Sequence, residues 1–236
     1  MEESPAMPVD SETLRAQPLF SALPDHLLER VAAISTVQVF PAGERLFDVG
    51  RHPSCLYVLC AGQVALGTRG SFHEFVAVEV MRAGDVFGAP AVLLDQPSLM
   101  GAETIEPSEI ICIAAPGLRS LMAAEAQMAM TMLVSMTNAY RALVRQISDL
   151  KSRSVAQRLG CYLLGLAHEQ GEGEIVLPFE KRLLASRLGT TPESLSRAFS
   201  VLRTCGVTTL GRKVVLGNTR VLRAFARPDE LLSNPT

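Results

Sequence analysis

Apolar residues change their spacing along the chain, and each change predicts a different kind of element. Between residues 11 and 34 they recur at three- and four-residue intervals, which predicts short helices, one of them starting at Pro24 and Asp25. From Val37 to Ile113 short apolar runs are separated by Gly, Pro and Asp. Short strands at this spacing are typical of an all-β sandwich or barrel.

A third pattern runs from residue 117 to residue 150, where apolar residues alternate by four and three positions. Neither Gly nor Pro interrupts residues 118–150, so the sequence predicts one long helix. An apolar heptad stripe predicts pairing with a second helix of its own kind, and a helix buried against its own domain is the alternative. The predicted dimer interface consists of Met122, Ala126, Ala129, Leu133, Met136, Tyr140, Leu143, Ile147 and Leu150.

The last third of the chain predicts a small mixed domain. Residues 151–170 continue the helical pattern, and a short strand follows at residues 175–177. Two short helices come next, and then a hairpin whose tight basic turn contains Gly211 and Arg212. The fold class is therefore α+β. The predicted divisions are N-terminal helices with a β domain, a dimerisation helix and a C-terminal domain, at residues 1–116, 117–150 and 151–236.

Composition narrows the class of protein. Of the 236 residues, 48% are hydrophobic and 19% charged, so the chain can bury a core and is not disordered as a whole. Its apolar runs are too short to cross a membrane, and its acidic start does not resemble a signal peptide. These features predict a cytoplasmic protein without a membrane partner.

The five Cys are too few for a disulfide framework. Cys55 and Cys60 differ by five positions, so on one strand they would point to opposite faces and would not pair. Cys112, Cys161 and Cys205 lie in apolar surroundings and are interpreted as core thiols. A redox switch through any of these residues is a minor alternative.

Charge is distributed unevenly between the two parts of the chain. Residues 1–150 hold 9 Lys and Arg against 17 Asp and Glu, a net charge of −8. Residues 151–236 hold 13 against 7, a net charge of +6. The basic part is therefore a candidate for binding nucleic acid, and chance variation between two solvated surfaces is the alternative.

Residues 181–202 predict a helix-turn-helix. Gly189 ends the first helix. Thr190 or Thr191 can cap the second helix, and Pro192 suits its first turn. The predicted inner face of the second helix consists of Leu195, Phe199 and Leu202.

The predicted outer face of the second helix carries groups that suit base recognition in DNA. Arg197 can donate two hydrogen bonds to guanine, and Glu193 can accept one from the amino group of cytosine. Ser196 lies beside them and can reach a base or a phosphate. An ordinary surface ion pair between Glu193 and Arg197 is the alternative. The residues predicted to contact phosphates are Lys181, Arg182, Arg187, Ser194, Ser200, Arg212 and Lys213.

This stretch resembles the winged helix of the CRP/FNR family of bacterial transcription regulators. Residues 40–44 and 56–62 resemble the β-roll of the family's cyclic-nucleotide-binding-type sensor domain, and residues 84–88 resemble its next signature. The resemblance implies a β-roll of the jelly-roll type, a long dimerisation helix and a C-terminal winged helix-turn-helix. It also implies a homodimer that binds double-stranded DNA, with RNA polymerase as a partner if the protein is an activator.

Glu193, Ser196 and Arg197 match the E-x-x-S-R pattern of the FNR-like and Dnr-like branches of this family. The resemblance implies that these residues contact TTGAT-type half-sites in an inverted repeat. Members of the Dnr-like branch are thought to sense nitric oxide through haem, which makes haem a candidate cofactor. The effector is then a gas or a small molecule. The candidate axial ligands are the four His, at positions 26, 52, 73 and 168, the Cys and the Met, and the sequence singles out none of them.

Motifs of other sensing mechanisms in the family are missing. The cyclic AMP receptor binds its nucleotide with a Gly-Glu pair and a later Arg-Ser or Arg-Thr. The corresponding positions here are Gly88-Ala89 and Leu99-Met100, so a phosphate would meet no charged donor. No Cys precedes Cys55, which argues against an iron–sulfur cluster of the FNR type.

An apolar pocket remains as the predicted effector site, and a packed core is the alternative. Its predicted lining residues are Val86, Phe87, Gly88, Leu93, Leu99, Met100, Met128 and Met132. Two other functions stay open: a cyclic-nucleotide-binding module with a different output, and a cupin-like metalloenzyme. The scattered His argue against the enzyme, because a metal oxygenase clusters its His with a carboxylate. The sequence thus predicts a regulator that is not an enzyme and has no metal site.

Overall fold

The computed structural model describes residues 6–69, 75–171, 173–178 and 181–228. The chain divides into two compact units, Met1–Tyr140 and Arg141–Thr236. The first unit contains the β domain and the second the helix-turn-helix, and the predicted α+β class is confirmed.

The first unit consists of short strands with helices before and after them. Its strands are β1 (Met7–Pro8), β2 (Ser35–Phe40), β3 (Arg45–Phe47), β4 (Cys55–Ala61), β5 (Val64–Arg69), β6 (Phe75–Met81), β7 (Val86–Phe87), β8 (Gly101–Thr104) and β9 (Ser108–Ala114). Its helices are α1 (Ser11–Arg15), α2 (Asp25–Ala32), α3 (Ala89–Leu94), α4 (Ala115–Ala124) and the first part of α5 (Ala126–Ser152). The strands form two antiparallel sheets, in the orders β1-β2-β9-β4-β7 and β3-β8-β5-β6.

Strand β4 is buried on both faces, which explains its unbroken apolar sequence. Leu56 and Val58 pack into a core cluster shared with helices α1, α2 and α4. Tyr57 and Leu59, on the opposite face, pack into a second cluster with residues of β5, β8 and β9. Successive side chains of a strand point to opposite faces, so an apolar run without alternation indicates two covered faces. We call the first cluster the helical core cluster and the second the inter-sheet core.

The predicted single helix of residues 117–150 is wrong in one respect, because the structure contains two helices there. Glu125 separates α4 from α5 with an extended backbone (φ −125°, ψ 104°) and forms an ion pair with Arg30 of α2. No Gly or Pro marks this break in the sequence. Its cause is therefore tertiary packing rather than local preference. Met122 consequently lies on a different helix from the other eight residues of the predicted interface.

The second unit contains the end of α5 and a small mixed domain. Its helices are α6 (Val155–Gln170), α7 (Lys181–Arg187), α8 (Pro192–Leu202) and α9 (Thr219–Ala226), with a 3₁₀ turn at Arg203–Cys205. Its strands β10 (Glu174–Val176), β11 (Val207–Leu210) and β12 (Lys213–Leu216) form one antiparallel sheet in the order β10-β12-β11.

The apolar pattern predicted that the helix continues from α5 into residues 151–170. In the structure, α6 is instead a separate helix. The side chain of Ser154 accepts a hydrogen bond from the amide of Gln157, and the Gln157 side chain accepts one from the amide of Ser154. This capping box gives α6 its own start. Helix α6 packs closely against α9 at Gly160, where a Cβ would lie 3.0 Å from the Cβ of Ala226.

Candidate nucleic-acid interface and sensor core

The turn between α7 and α8 depends on a residue in the left-handed conformation. The amide of Thr190 donates to the carbonyl of Ala185, and that of Gly189 to the carbonyl of Ser186, both at 2.9 Å. Gly189 has a φ of +60°, and a Cβ there would meet Leu150 at 2.6 Å. Gly adopts this conformation without the steric cost of a side chain, so it sets the orientation of α8 relative to α7.

Helix α8 is capped by Thr191, one of the two predicted candidates. The Thr191 hydroxyl accepts a hydrogen bond from the amide of Ser194 at 3.3 Å, and Pro192 occupies the first position of the helix. The inner face of α8 matches the prediction and is extended by one residue. Its buried side chains are Leu195, Ala198, Phe199 and Leu202.

The outer face of α8 brings the three candidate base-reading residues together. Glu193, Ser196 and Arg197 are all exposed. The pKa of Glu193 lies below its ordinary value because the carboxylate accepts from its own backbone amide and from the Thr191 hydroxyl, with a smaller effect of the charge on Arg197. The Ser196 hydroxyl donates to the carbonyl of Pro192 at 3.0 Å. One face thus presents an ionised acceptor and a guanidinium donor one helical turn apart.

The candidate phosphate contacts on α7 and α8 differ in how strongly the protein holds them. Arg182 is exposed, whereas the Lys181 ammonium lies 5.5 Å from the centre of the Phe199 ring. The half-buried Arg187 guanidinium lies 5.8 Å from the centre of the Tyr162 ring. Such cation–π contacts hold a long side chain in place while its charge stays near the surface. The two remaining candidates, Ser194 and Ser200, bond locally to Thr191 and to the carbonyl of Ser196.

The hairpin of β11 and β12 carries the last two phosphate candidates, and neither is a free surface cation. The Nε of Arg212 donates to the carbonyl of Leu177 at 2.9 Å, which ties the hairpin tip to the chain after β10. Lys213 forms an ion pair with Glu174 of β10 at 2.8 Å. Glu174 raises the pKa of Lys213 through a hydrogen bond and through its charge.

Sequence reasoning missed the partners of these cations. Tyr162, Glu174 and Phe199 come from three different elements, and no spacing in the sequence relates them to Arg187, Lys213 or Lys181. Phe199 was predicted only as a core residue. The antiparallel pairing of β10 with β12 places Glu174 opposite Val215 and Val176 opposite Lys213, so Glu174 and Lys213 are diagonal neighbours on one face of the sheet.

The structure does not bring the eight residues of the predicted effector pocket into one cavity. Met128 and Met132 are fully buried in the helical core cluster, with Val86 and Leu93 packed against it. Phe87 belongs to the inter-sheet core instead, with Met100 packed against that cluster. Leu99 is 89% exposed. Gly88, which precedes α3 with a φ of +82°, lies against the ring of Tyr57.

The inter-sheet core is filled by three stacked aromatic rings. The ring centres of Tyr57 and Phe87 are 5.1 Å apart, and those of Phe47 and Tyr57 are 5.4 Å apart. Haem needs a wide cavity and an axial donor. The described His, at positions 26, 52 and 168, are all exposed, and His73 lies outside the described residues. No described His therefore lies in either core cluster of the β domain.

Two further searches of the described residues bear on function. Within them, no three or more His, Cys, Asp or Glu side chains are grouped so as to hold a metal ion. No helix in the same part of the chain is long and apolar enough to span a membrane.

Comparison with known proteins matches both units. Residues 37–125 match the family described as "Cyclic nucleotide-binding domain", and residues 157–225 match the "Crp-like helix-turn-helix domain". A solved structure described as "a putative cAMP-binding regulatory protein" from Silicibacter pomeroyi DSS-3 is 30% identical to this chain, with a TM-score of 0.62. The match covers 93% of this chain and 99% of that one.

Two curated relatives are also similar over most of their length. "Probable transcriptional regulator flp" of Lacticaseibacillus casei is 26% identical over 187 residues, which is 78% of this chain and 84% of that protein. The "CRP-like cAMP-activated global transcriptional regulator" of Mycobacterium tuberculosis is 24% identical over 194 residues, 80% of this chain and 87% of that protein.

A nucleotide-sensor-type β domain, a long helix and a helix-turn-helix with a basic outer surface define a DNA-binding transcription regulator. The two family matches and the 30% identity over nearly the whole chain agree with that class. The chain belongs to the CRP/FNR family of transcription regulators.

Proposed function

We propose that this regulator binds an inverted repeat of TTGAT-type half-sites as a homodimer, with Glu193, Ser196 and Arg197 contacting bases. The observation that carries the proposal is the joint exposure of these residues on the N-terminal half of α8. A recognition helix enters the major groove with its N-terminal residues at the base edges. Two copies related by a two-fold axis then meet two half-sites about one turn of DNA apart.

The experiment that tests this proposal is fluorescence anisotropy with a duplex carrying the inverted repeat and a scrambled duplex of equal length, at several salt concentrations. Preference for the repeat is expected, together with a steep loss of affinity as salt rises. Weak binding to both duplexes without a salt dependence contradicts the proposal. Strong binding without preference contradicts only the choice of half-site.

The homodimer is proposed to form through the apolar stripe of α5. Among the predicted interface residues, Leu133, Tyr140 and Leu143 are 56%, 67% and 51% exposed, and Ile147 and Leu150 are 43% and 41% exposed. A row of large exposed apolar side chains at heptad spacing is a surface that a second helix covers. Ala126 is exposed as well, whereas Met122, Ala129 and Met136 are half-buried.

The ion pair between Lys213 of the hairpin and Glu174 of β10 gives two opposite predictions for DNA binding. Lys213→Ala is expected to weaken binding to every duplex about equally and to lower the salt slope by about 1, because one phosphate contact is lost. Glu174→Gln removes the carboxylate 2.8 Å from that ammonium and is expected to tighten binding to every duplex. Anisotropy across salt measures both variants. Weaker binding of Glu174→Gln would remove Lys213 from the proposed phosphate contacts.

The effector of the β domain is proposed to be a small molecule or gas other than a cyclic nucleotide. Ala89 is buried and Leu99 is 89% exposed at the positions where a phosphate would need charged donors. Calorimetry with cyclic AMP and cyclic GMP is expected to show no saturable heat of binding. Saturable micromolar binding of either nucleotide would contradict this part of the proposal. Nitric oxide sensing through haem is not included, because no described His lies in a core cluster of the β domain.

A further inference from the structure

Two cysteines of the β domain lie side by side on neighbouring strands. In the antiparallel pairing of β4 with β9, Cys55 is opposite Ala114 and Tyr57 is opposite Cys112. Cys55 and Cys112 are therefore diagonal neighbours on the same face of the sheet. Cys112 belongs to the inter-sheet core, and Cys55 packs against that cluster.

The two thiols have different surroundings. Cys55 is half-buried at the start of β4, with the hydroxyl of Ser54 at 3.8 Å from its sulfur, whereas Cys112 is only 6% exposed. The hydrogen bond from Cys112 holds the pKa of Cys55 below its ordinary value, although burial acts in the opposite direction. The same hydrogen bond, together with burial, raises the pKa of Cys112. The pair thus combines a half-exposed thiol of lowered pKa with a buried thiol of raised pKa.

We propose that Cys55 and Cys112 form an oxidation site for hydroperoxides, in which Cys55 reacts first and Cys112 resolves the product as a disulfide. The thiolate is the reactive form of cysteine, and an accessible thiolate next to a second thiol is the arrangement of a thiol redox site. This assignment does not rest on the proposed DNA-binding function.

The reaction balances with the hydroperoxide as the only oxidant. The Cys55 thiolate attacks one peroxide oxygen, the O–O bond breaks, and the leaving alkoxide or hydroxide takes a proton to become an alcohol or water. The sulfenic acid so formed is attacked by the Cys112 sulfur, the S–O bond breaks, and water leaves with the thiol proton. Two thiols have then lost two electrons to the peroxide bond.

The disulfide would alter the packing of the inter-sheet core. Diagonal neighbours in an antiparallel pair have Cα atoms about 7–8 Å apart, whereas a disulfide prefers a separation of about 4.4–6.8 Å. The strands must therefore shift at Tyr57, which follows Cys55 on the same face. Because the Tyr57 ring is stacked on Phe87 at 5.1 Å, the shift reaches β7 and the residue before α3.

Cys60 provides a matched control on the same strand. It is half-buried like Cys55, but it packs against the helical core cluster on the opposite face. Burial raises its pKa, and its thiol donates a hydrogen bond to the carbonyl of Val58 at 3.9 Å. Cys60 should therefore be the slower of the two thiols at neutral pH.

The test uses the full-length reduced protein. We expect iodoacetamide at pH 7 to label Cys55 about tenfold faster than Cys60. Hydrogen peroxide should remove two hydrogen atoms from the intact mass and yield a cross-linked peptide containing Cys55 and Cys112. Cys60→Ala should behave as the wild type. Cys112→Ala should oxidise more slowly, because Cys55 loses the hydrogen bond that lowers its pKa, and the sulfenic acid at Cys55 should persist until a 1,3-dione traps it.

Several outcomes would overturn the assignment. Equal labelling of Cys55 and Cys60, a disulfide between other residues, or an intermolecular disulfide alone would each do so. Since Cys112 is buried, the folding of Cys112→Ala is checked by circular dichroism. If that variant does not fold, Cys55→Ser serves instead, because this half-exposed residue tolerates the change. In the Cys55→Ser variant, Cys112 must then resist peroxide, and oxidation of Cys112 at the wild-type rate would contradict the proposal.

Discussion

Replacing Arg197 with Ala is expected to weaken binding to the inverted repeat by about 1–3 kcal/mol per half-site, with little change for a scrambled duplex. The guanidinium is exposed on the outer face of α8, one turn from the carboxylate of Glu193. A bidentate contact with guanine discriminates between bases, and its loss removes this discrimination at one position of each half-site. Anisotropy titrations of both duplexes at one salt concentration measure the difference.

Arg220→Ala is the matched control for this variant. Arg220 is also an exposed arginine of the second unit, but it lies on α9 rather than on the recognition helix. Both variants lose the same charge, so any general electrostatic effect is common to them. If Arg197→Ala loses equal affinity for the repeat and the scrambled duplex, Arg197 contacts phosphates and not bases.

Replacing Leu143 with Glu is expected to convert the protein into monomers and to abolish tight binding to the repeat. Leu143 is 51% exposed in the single chain and lies in the middle of the apolar stripe of α5. A second helix covering this stripe would have to bury the new carboxylate without a partner, which costs several kcal/mol. Light scattering measures the mass in solution, and anisotropy measures DNA binding by the same sample.

Asn138→Glu adds the same charge to the same helix and is the control for the dimer. Asn138 is exposed and falls outside the heptad stripe, between Met136 and Tyr140. It should leave the protein dimeric. A dimer that survives Leu143→Glu would show that the stripe of α5 is not the interface. If both variants are monomeric, the added charge has disrupted helix α5 itself rather than the interface.

The helix-turn-helix could be predicted from the sequence because its signals are local. The stop at Gly189, the cap at Thr191 and the outward position of Arg197 depend on residues within one or two helical turns. Local spacing also predicted the strands of the β domain, because apolar runs and turn residues mark them directly.

The sensor core could not be predicted in the same way. Phe87 and Leu93 are close in sequence, but they pack into different core clusters, since the strand β7 ends between them. The sequence does not show which of the two core clusters each of these apolar residues enters. The residues of the predicted pocket are alike in being apolar or small, but they lie in different parts of the β domain.

The cysteines also form a contact that spacing along the sequence does not predict. The spacing of Cys55 and Cys60 correctly placed them on opposite faces of a strand, and Cys112 was interpreted as an isolated core thiol. Only the pairing of β4 with β9 places Cys112 beside Cys55, across 57 positions of sequence that no periodicity relates.

The sequence by itself determined the class of this protein: a β domain, a helical stripe and a capped helix pair with basic residues around it. These features follow from periodicity, capping and charge, which act over a few residues. The tertiary structure alone decided where α4 and α5 separate, which cations have partners, how the inter-sheet core is filled and which thiols meet. Each of these depends on contacts between distant segments, whose free energy is set by packing and desolvation rather than by local conformational preference.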